Sequence, residues 1–295
     1  MVNEFPKLNT EKEKEINIEN LKDLILTNEQ YMNHPFANTE DERSYVFEIN
    51  NGEKKIFYYG SSHTNDSNNP IFTEIKKEFD RVNPDIVYIE GWQSINNKKD
   101  TVLGVIKKES LDETKLKGEN YFTLKLGVDA GKDFESPEPD FQKETVYLLE
   151  KGFSKKDIFF FYIYRDIDQY QRQYKEKNPE ECKKYIESEF KIFRRDSGWD
   201  SAELDLLEQE IVAELDVHNI DKYHLQVDPI PWEGSTQTVL NEVSRNSSHF
   251  RDEYIFERIA EGLKKHNTIF VVYGSAHAVK QEPALRALVE KIKNT

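Results

Sequence analysis

The chain is short of the residues that would place it outside a cell or inside a membrane. It holds one cysteine, Cys182, among 295 residues. A lone thiol closes no internal disulfide, so packing has to hold the fold, and this usage fits a reducing compartment, expected to be the cytoplasm. Long apolar runs are also missing: no window approaches the roughly eighteen apolar residues of a spanning helix. The opening stretch, MVNEFPKLNTEKEKEINIEN, has no basic segment leading into an apolar one, so no secretion signal is expected. Positive charge is scarce too, with 41 Lys and Arg against 56 Asp and Glu and a formal net charge of −15. Nucleic-acid binding uses cationic side chains to displace phosphate counterions, and this balance excludes it as a general role. The same charge leaves room for a cation at a local acidic site.

What the chain does have is aromatic residues: 18 Phe, 15 Tyr and 3 Trp, which offset an apolar fraction of only 37% because each buries a large area. They recur in periodic segments, so the chain is expected to fold. Residues 1–44 read as a polar arm or loosely docked helix, and 45–295 as one domain. SYVFEINNGEKKIFYYG holds two strand-like runs about Asn51-Gly52, a pair that favours a type I′ hairpin. Pro70, with Asn69 as cap, opens a helix whose Phe72, Ile75, Phe79 and Val82 share a face. PDIVYIEG supplies a buried strand closing on Glu90. Strand, helix, strand predicts parallel neighbours joined by a right-handed crossover. YFTLKLGVDA predicts a further strand at 121–130.

From about 139 to 230 the pattern turns helical, with start signals at Ser154 and Asp157, at Pro179, and at Asp200 with Glu203. This predicts an insertion over the sheet edge, a candidate lid or a surface for a protein partner or a second copy. A helix at 250–265, a strand at 268–273 and a helix from Pro283 complete the chain. The expected fold class is α/β: a central mixed β-sheet flanked by helices, with a largely helical insertion in the middle of the chain.

Two phrases carry the chemistry. GSSH at 60–63 and GSAH at 274–277 each follow an apolar strand with a glycine, two small residues and a histidine. Either histidine alone could be a satisfied edge residue. Two, at carboxyl ends of strands where open α/β sheets collect ligands, read as a pair for metal or acid–base work. Gly60, Ser61, Gly274 and Ser275 would let a ligand approach the main chain. Glu90 ends a strand on the same edge. His34, His218, His224, His249 and His266 fall in loops or at helix ends and need no functional account. Arg251 lies four residues before Ile255 on the inward stripe Ile255, Ile259, Leu263, so its charge requires a carboxylate from the protein or a substrate. Asp252 and Glu253 read more simply as favourable charges near a helix N-terminus.

The paired GxxH motifs, the glutamate of VYIEG and the arginine of RDEYIFERI together resemble the TraB/PrgY/GumN family, which includes the Tiki metalloproteases and is similar to erythromycin esterase-like and ChaN-like proteins. The resemblance spans roughly residues 45–290. It implies a bacterial-type metal-dependent hydrolase of peptide or small-molecule ester bonds, with His63, Glu90 and His277 holding manganese, cobalt or zinc and Arg251 binding substrate. It also implies an acidic residue from the centre of the chain, for which Glu135 is the nearest match. Two alternatives follow: a metal-free esterase in which a histidine is the general base and Glu90 orients it, and a non-catalytic protein gripping haem or another small ligand through histidines and tyrosines. The chain departs from relatives at Ile255-Phe256 and in its long, charged middle.

Overall fold

The computed structural model describes residues 17–37, 44–91, 98–173, 178–216, 223–229 and 237–293. Its strands are β1 (Tyr45–Asn50), β2 (Lys55–Ser61), β3 (Ile86–Ile89), β4 (Asp133–Glu135) and β5 (Thr268–Gly274). Ahead of β3 come α1 (Glu19–Lys22), α2 (Asn28–Met32) and α3 (Ile71–Val82). Between β3 and α7 lie α4 (Lys99–Ile106), α5 (Leu111–Lys115) and α6 (Glu119–Asp129). The helical middle holds α7 (Phe141–Glu150), α8 (Lys155–Gln173), α9 (Pro179–Ser197), α10 (Ser201–Glu214) and α11 (His224–Val227), and the chain closes with α12 (Val239–Lys265) and α13 (Ser275–Lys293).

The sheet runs β1-β2-β5-β3-β4, with only β1 antiparallel to its neighbour. β2 and β3 are therefore not adjacent, contrary to the strand–helix–strand reading. β5, from near the end of the chain, separates them, pairing Gly60 with Tyr273 on one side and Ile89 with Val272 on the other. Helices cover both faces, which is why the strands are apolar without a break. Ile56, Tyr58, Ile269, Val271 and Tyr273 join α12 and α13 in one core, while Phe57, Tyr59, Phe270 and Val272 join α3 and α6 in the other. Leu21 and Ile25 belong to the first of these cores, and Leu26 N donates to Lys280 O, so the packed fold reaches back before residue 45. The remainder of the expected arm, 1–16, lies outside the described residues.

Three local expectations need correction. Residues 121–130 form most of α6, not a strand. The alternation in YFTLKLG mimics a two-residue period, but this helix is buried on nearly every side, against β3 at Gly127 and Val87 and against α3 at Phe122 and Phe72, so no polar face marks its helical period. The hairpin loop is longer than two residues: Asn50 pairs with Lys55, and Gly52 has φ 96° while Asn51 does not enter the positive region. The Asn51 side chain accepts the N–H groups of Glu53 and Lys54 and stabilises this wider turn. The last helix starts at Ser275 and keeps Pro283 inside it, so the second GxxH opens a helix.

The helical middle is as expected in position and builds its own core of Phe159, Phe161, Tyr162, Phe190, Phe193 and their neighbours. Its start signals hold: Ser154 and Asp157 bond reciprocally, Asn178 caps α9, and Asp200 accepts from Ala202 N and Glu203 N. Helix α12 links the two halves of the molecule. Leu240 and Val243 near its start pack into the helical core, while Ile255, Phe256 and Ile259 pack onto the sheet. Arg251 and Asp252 stand where it changes partners. No helix of the described residues is long and apolar enough to cross a membrane.

Candidate active site

Three strands deliver the site. β2 ends at Ser61, the chain turns through His63 at φ 57°, β3 runs into Glu90, and β5 ends at Gly274 between them. Left-handed backbone is unfavourable for a histidine by a modest amount, and here the bond from His63 N to Ser61 Oγ, 3.0 Å, helps to hold it. His63 Nδ1 lies 2.6 Å from Glu119 Oε1, and the same oxygen accepts from Ser61 Oγ at 2.6 Å. Thr64 N donates to the other Glu119 oxygen at 3.2 Å. Burial pushes the Glu119 carboxyl up, but His63 and Ser61 outweigh it and hold the group below the usual carboxylate range. An ionised Glu119 requires the proton on Nδ1, which leaves Nε2 as the basic nitrogen. Nε2 faces Glu90 Oε2 at 3.6 Å, just beyond hydrogen-bond reach.

Glu90 is fixed by the neighbouring strand. Its Oε2 accepts Gly274 N–H at 2.6 Å, and its Oε1 is 3.6 Å from the Arg251 guanidinium. Arg251 finds the carboxylate its inward position demanded in Glu138, two bonds of 2.9 and 2.6 Å forming a fork. Burial raises the Glu138 carboxyl, and Arg251, then His277 and Arg165, more than reverse this, so the pair is ionic.

His277, one helical turn past Gly274, repeats the first arrangement with different parts. Its Nδ1 is 2.6 Å from Asp252 Oδ1, which also accepts from Gln281 Nε2 at 2.8 Å. Lys280 Nζ sits 2.5 Å from Asp252 Oδ2 as an ion pair lacking hydrogen-bond alignment, and donates to Ser248 Oγ at 2.7 Å. Burial alone would raise Asp252, yet Lys280 and then His277 hold it far below the ordinary aspartate range.

The sequence-predicted His63, Glu90, Arg251 and His277 thus meet at one end of the sheet. Glu135 does not join them; it binds Arg258, and the acidic partner from this segment is Glu138, three residues on. Gly60 and Ser61 are not open to a ligand either. A Cβ on Gly60 would meet Ala278 and the Tyr45 carbonyl, and the Ser61 hydroxyl is buried on Glu119. Gly274 does lie beneath the candidate pair, with His63 Nε2 and Glu90 Oε2 over the space its missing side chain leaves. Ser275, beside it, is half-buried at the start of α13. Tyr58, Tyr59, Tyr88 and Tyr273 are core residues and offer no grip on a haem. His249 pairs with Glu253, His34 packs on Tyr45, and His218 with the side chain of His224 lies outside the described residues.

Sequence reasoning missed Glu119, Glu138, Asp252 and Lys280. Asp252 had a signal: Asp252, Phe256, Ile259 and Leu263 form an inward stripe as regular as that of Arg251, and Lys280 and Gln281 follow His277 at three and four residues. Glu119 had none, since it opens a helix whose sequence reads as a strand.

The donors assigned by resemblance to a metal ion do not form a ligand set. Both Glu90 oxygens face protein groups, one of them the fixed cation Arg251, which competes for the same charge. Among the described residues, no three His, Cys, Asp or Glu side chains are grouped to hold a metal ion. Comparison with family models, with curated proteins and with solved structures finds no match for this chain.

Proposed function

We propose that the chain hydrolyses a carboxyl ester, with His63 as general base and no resident metal. One observation carries the reading: the buried Glu119 holds His63 Nδ1 at 2.6 Å and leaves Nε2 directed at Glu90 across 3.6 Å, at the carboxyl ends of three strands. In this reaction Nε2 takes a proton from water as the water oxygen bonds to the ester carbonyl carbon. The tetrahedral oxyanion forms beside the imidazolium, and the bond to the leaving alkoxide then breaks as the imidazolium returns the proton to it. Products are a carboxylic acid and an alcohol. Glu119 keeps the tautomer, and Glu90 stabilises the transient imidazolium. Metal-dependent hydrolysis, which the family resemblance implies, draws no support from the donor set.

The test uses a panel of p-nitrophenyl esters. His63→Gln is expected to lower kcat by about 10³-fold and Glu119→Gln by about 10²-fold with little change in KM, as loss of a general base and of its orienting group should. Chelator treatment is expected to leave the rate unchanged. Wild-type rates in His63→Gln would sink the proposal, and loss on chelation with recovery on adding manganese, cobalt or zinc would replace it with the metal reading.

A further inference from the structure

The sheet has one long open side. β1 is its outermost strand, six residues paired to β2 without a bulge, and among the described residues no strand lies beyond it. Which main-chain groups β1 turns outward follows from its register. Lys55 N donates to Asn267 O at 2.7 Å, away from β1, so Asn50 and Lys55 face each other as a pair without mutual bonds. Antiparallel pairs alternate in this respect. Tyr45, Phe47 and Ile49 therefore bond β2, while Val46, Glu48 and Asn50 direct their N–H and C=O groups off the edge. Among the described residues these outward main-chain groups have no partner.

An unpaired row of donors and acceptors templates another strand, and edges are commonly blunted by lysine, proline, a bulge or a covering element. The strand YVFEIN contains no lysine, proline or bulge. Its one charge, Glu48, is taken up by Arg81 at 2.6 Å and Lys55 at 3.8 Å. Val46 beside it is 45% exposed, and a groove of about 510 Å³ between β1 and α3 leaves room along the flank.

We infer that β1 pairs antiparallel with β1 of a second copy, about a two-fold axis through Phe47 perpendicular to the sheet. A second copy thus docks at the sheet edge and not at the helical middle. In this register the edge complements itself. Val46 stands opposite Glu48 of the second copy in pairs that exchange both main-chain bonds, and the two Phe47 rings meet in the non-bonded pair, where side chains come closest. Each Phe47 already stacks on its own Tyr58 with ring centres 5.2 Å apart, so the contact continues an aromatic row across the axis. An axis through Glu48 would set like charges directly opposite, and one through Val46 would leave Ile49 and Asn50 beyond the start of the opposing strand. A slip of one residue would match outward groups with inward ones and exchange the faces. Because β1 runs antiparallel across the axis, the two His63 ends point in opposite directions and neither copy completes the other's site.

The inference is independent of the esterase reading, and its test is the association of the full chain by sedimentation velocity over a wide range of concentration. Wild type is expected to show a monomer–dimer equilibrium. Val46→Glu sets a carboxylate opposite Glu48 and is expected to raise the dissociation constant by about tenfold or more, whereas Val46→Lys sets an ammonium there and should stay near wild type. Val46→Pro removes an outward N–H without touching a β1–β2 bond and should weaken the dimer as Val46→Glu does. Unfolding midpoints establish that each variant is folded, and if one is not, the other two decide. A monomer at every concentration overturns the inference, as does a dimer that folded Val46→Glu and Val46→Pro leave intact. Equal weakening by Val46→Glu and Val46→Lys overturns the register and the self-complementarity that selects a second copy.

Discussion

His63 and His277 close nearly identical four-residue phrases, yet the fold treats them differently. The His63 side chain is 51% exposed, sits after a strand on left-handed backbone, and is held by one carboxylate from the start of a helix. The His277 side chain is 12% exposed, lies in the first turn of α13, and is tied to Asp252, which also holds the buried Lys280 and Gln281. The glycines differ in the same sense. Gly60 is filled in by Ala278, whereas Gly274 lies under His63 Nε2 and Glu90 Oε2. A repeated motif has thus been divided into one half exposed at the strand ends, the reacting half of the proposed function, and one half that is part of the frame.

That division is most severely tested at the two carboxylates. Asp252→Asn leaves Lys280 charged and buried without its counter-ion, and is expected to cost about 3–5 kcal/mol in urea unfolding at neutral pH. Glu119→Gln strands no buried cation and is expected to cost about 1–2 kcal/mol. The sign with pH follows from the direction of the shifts. Both folded carboxyls titrate below their unfolded values, so their stabilisation is complete above the ordinary carboxylate range of about 4 and is lost as pH falls through the folded values. The stability gap between wild type and Asp252→Asn should therefore be flat at neutral pH and narrow in acid. Equal losses for the two variants would remove the distinction between frame and reacting half.

Next in size comes Gly60→Ala. Its new Cβ would stand 2.6 Å from the Ala278 Cβ and 2.7 Å from the Tyr45 carbonyl oxygen, both on well-packed elements that cannot yield without moving α13 or β1. A loss of about 1–3 kcal/mol is expected by thermal or urea unfolding. A neutral result would mean that α13 is not seated on β2 as closely as the structure has it.

Much of this arrangement was legible from sequence because it depends on short-range signals. Apolar runs ending in Gly-x-x-His mark strand ends, and all three strands of the site were found, as was the inward position of Arg251. The helical middle declared itself through its start signals at Ser154, Pro179 and Asp200. What stayed hidden depends on partners distant in the chain. Insertion of β5 between β2 and β3 is set by pairing across more than two hundred residues, which no local pattern encodes. Helix α6 was misread because burial on several sides erased its polar face, and Glu119 was lost with it. Asp252 was misread for a different reason: α12 begins at Val239, so a residue taken to lie near a helix N-terminus lies in the middle of a helix of 27 residues, where a buried aspartate needs partners and not a dipole.

The smallest expected effect on stability falls on Gly274→Ala, and it bears most directly on the reacting half. Gly274 has ordinary negative φ, so alanine brings no backbone strain, and the N–H that Glu90 accepts is retained. Its Cβ would lie 2.9 Å from His63 Nε2 and 3.3 Å from Glu90 Oε2. The first of these atoms ends a half-exposed ring that can swing away, so the cost in folding should stay below about 1 kcal/mol. Swinging away, however, carries the basic nitrogen out of line with Glu90, and a displacement of this order is worth about 10–100-fold in kcat. Gly60→Ala and Gly274→Ala should thus separate cleanly, one showing in the unfolding midpoint and the other in turnover at an unchanged midpoint. An active Gly274→Ala would mean that His63 works without its alignment to Glu90, leaving Glu119 alone to orient the base.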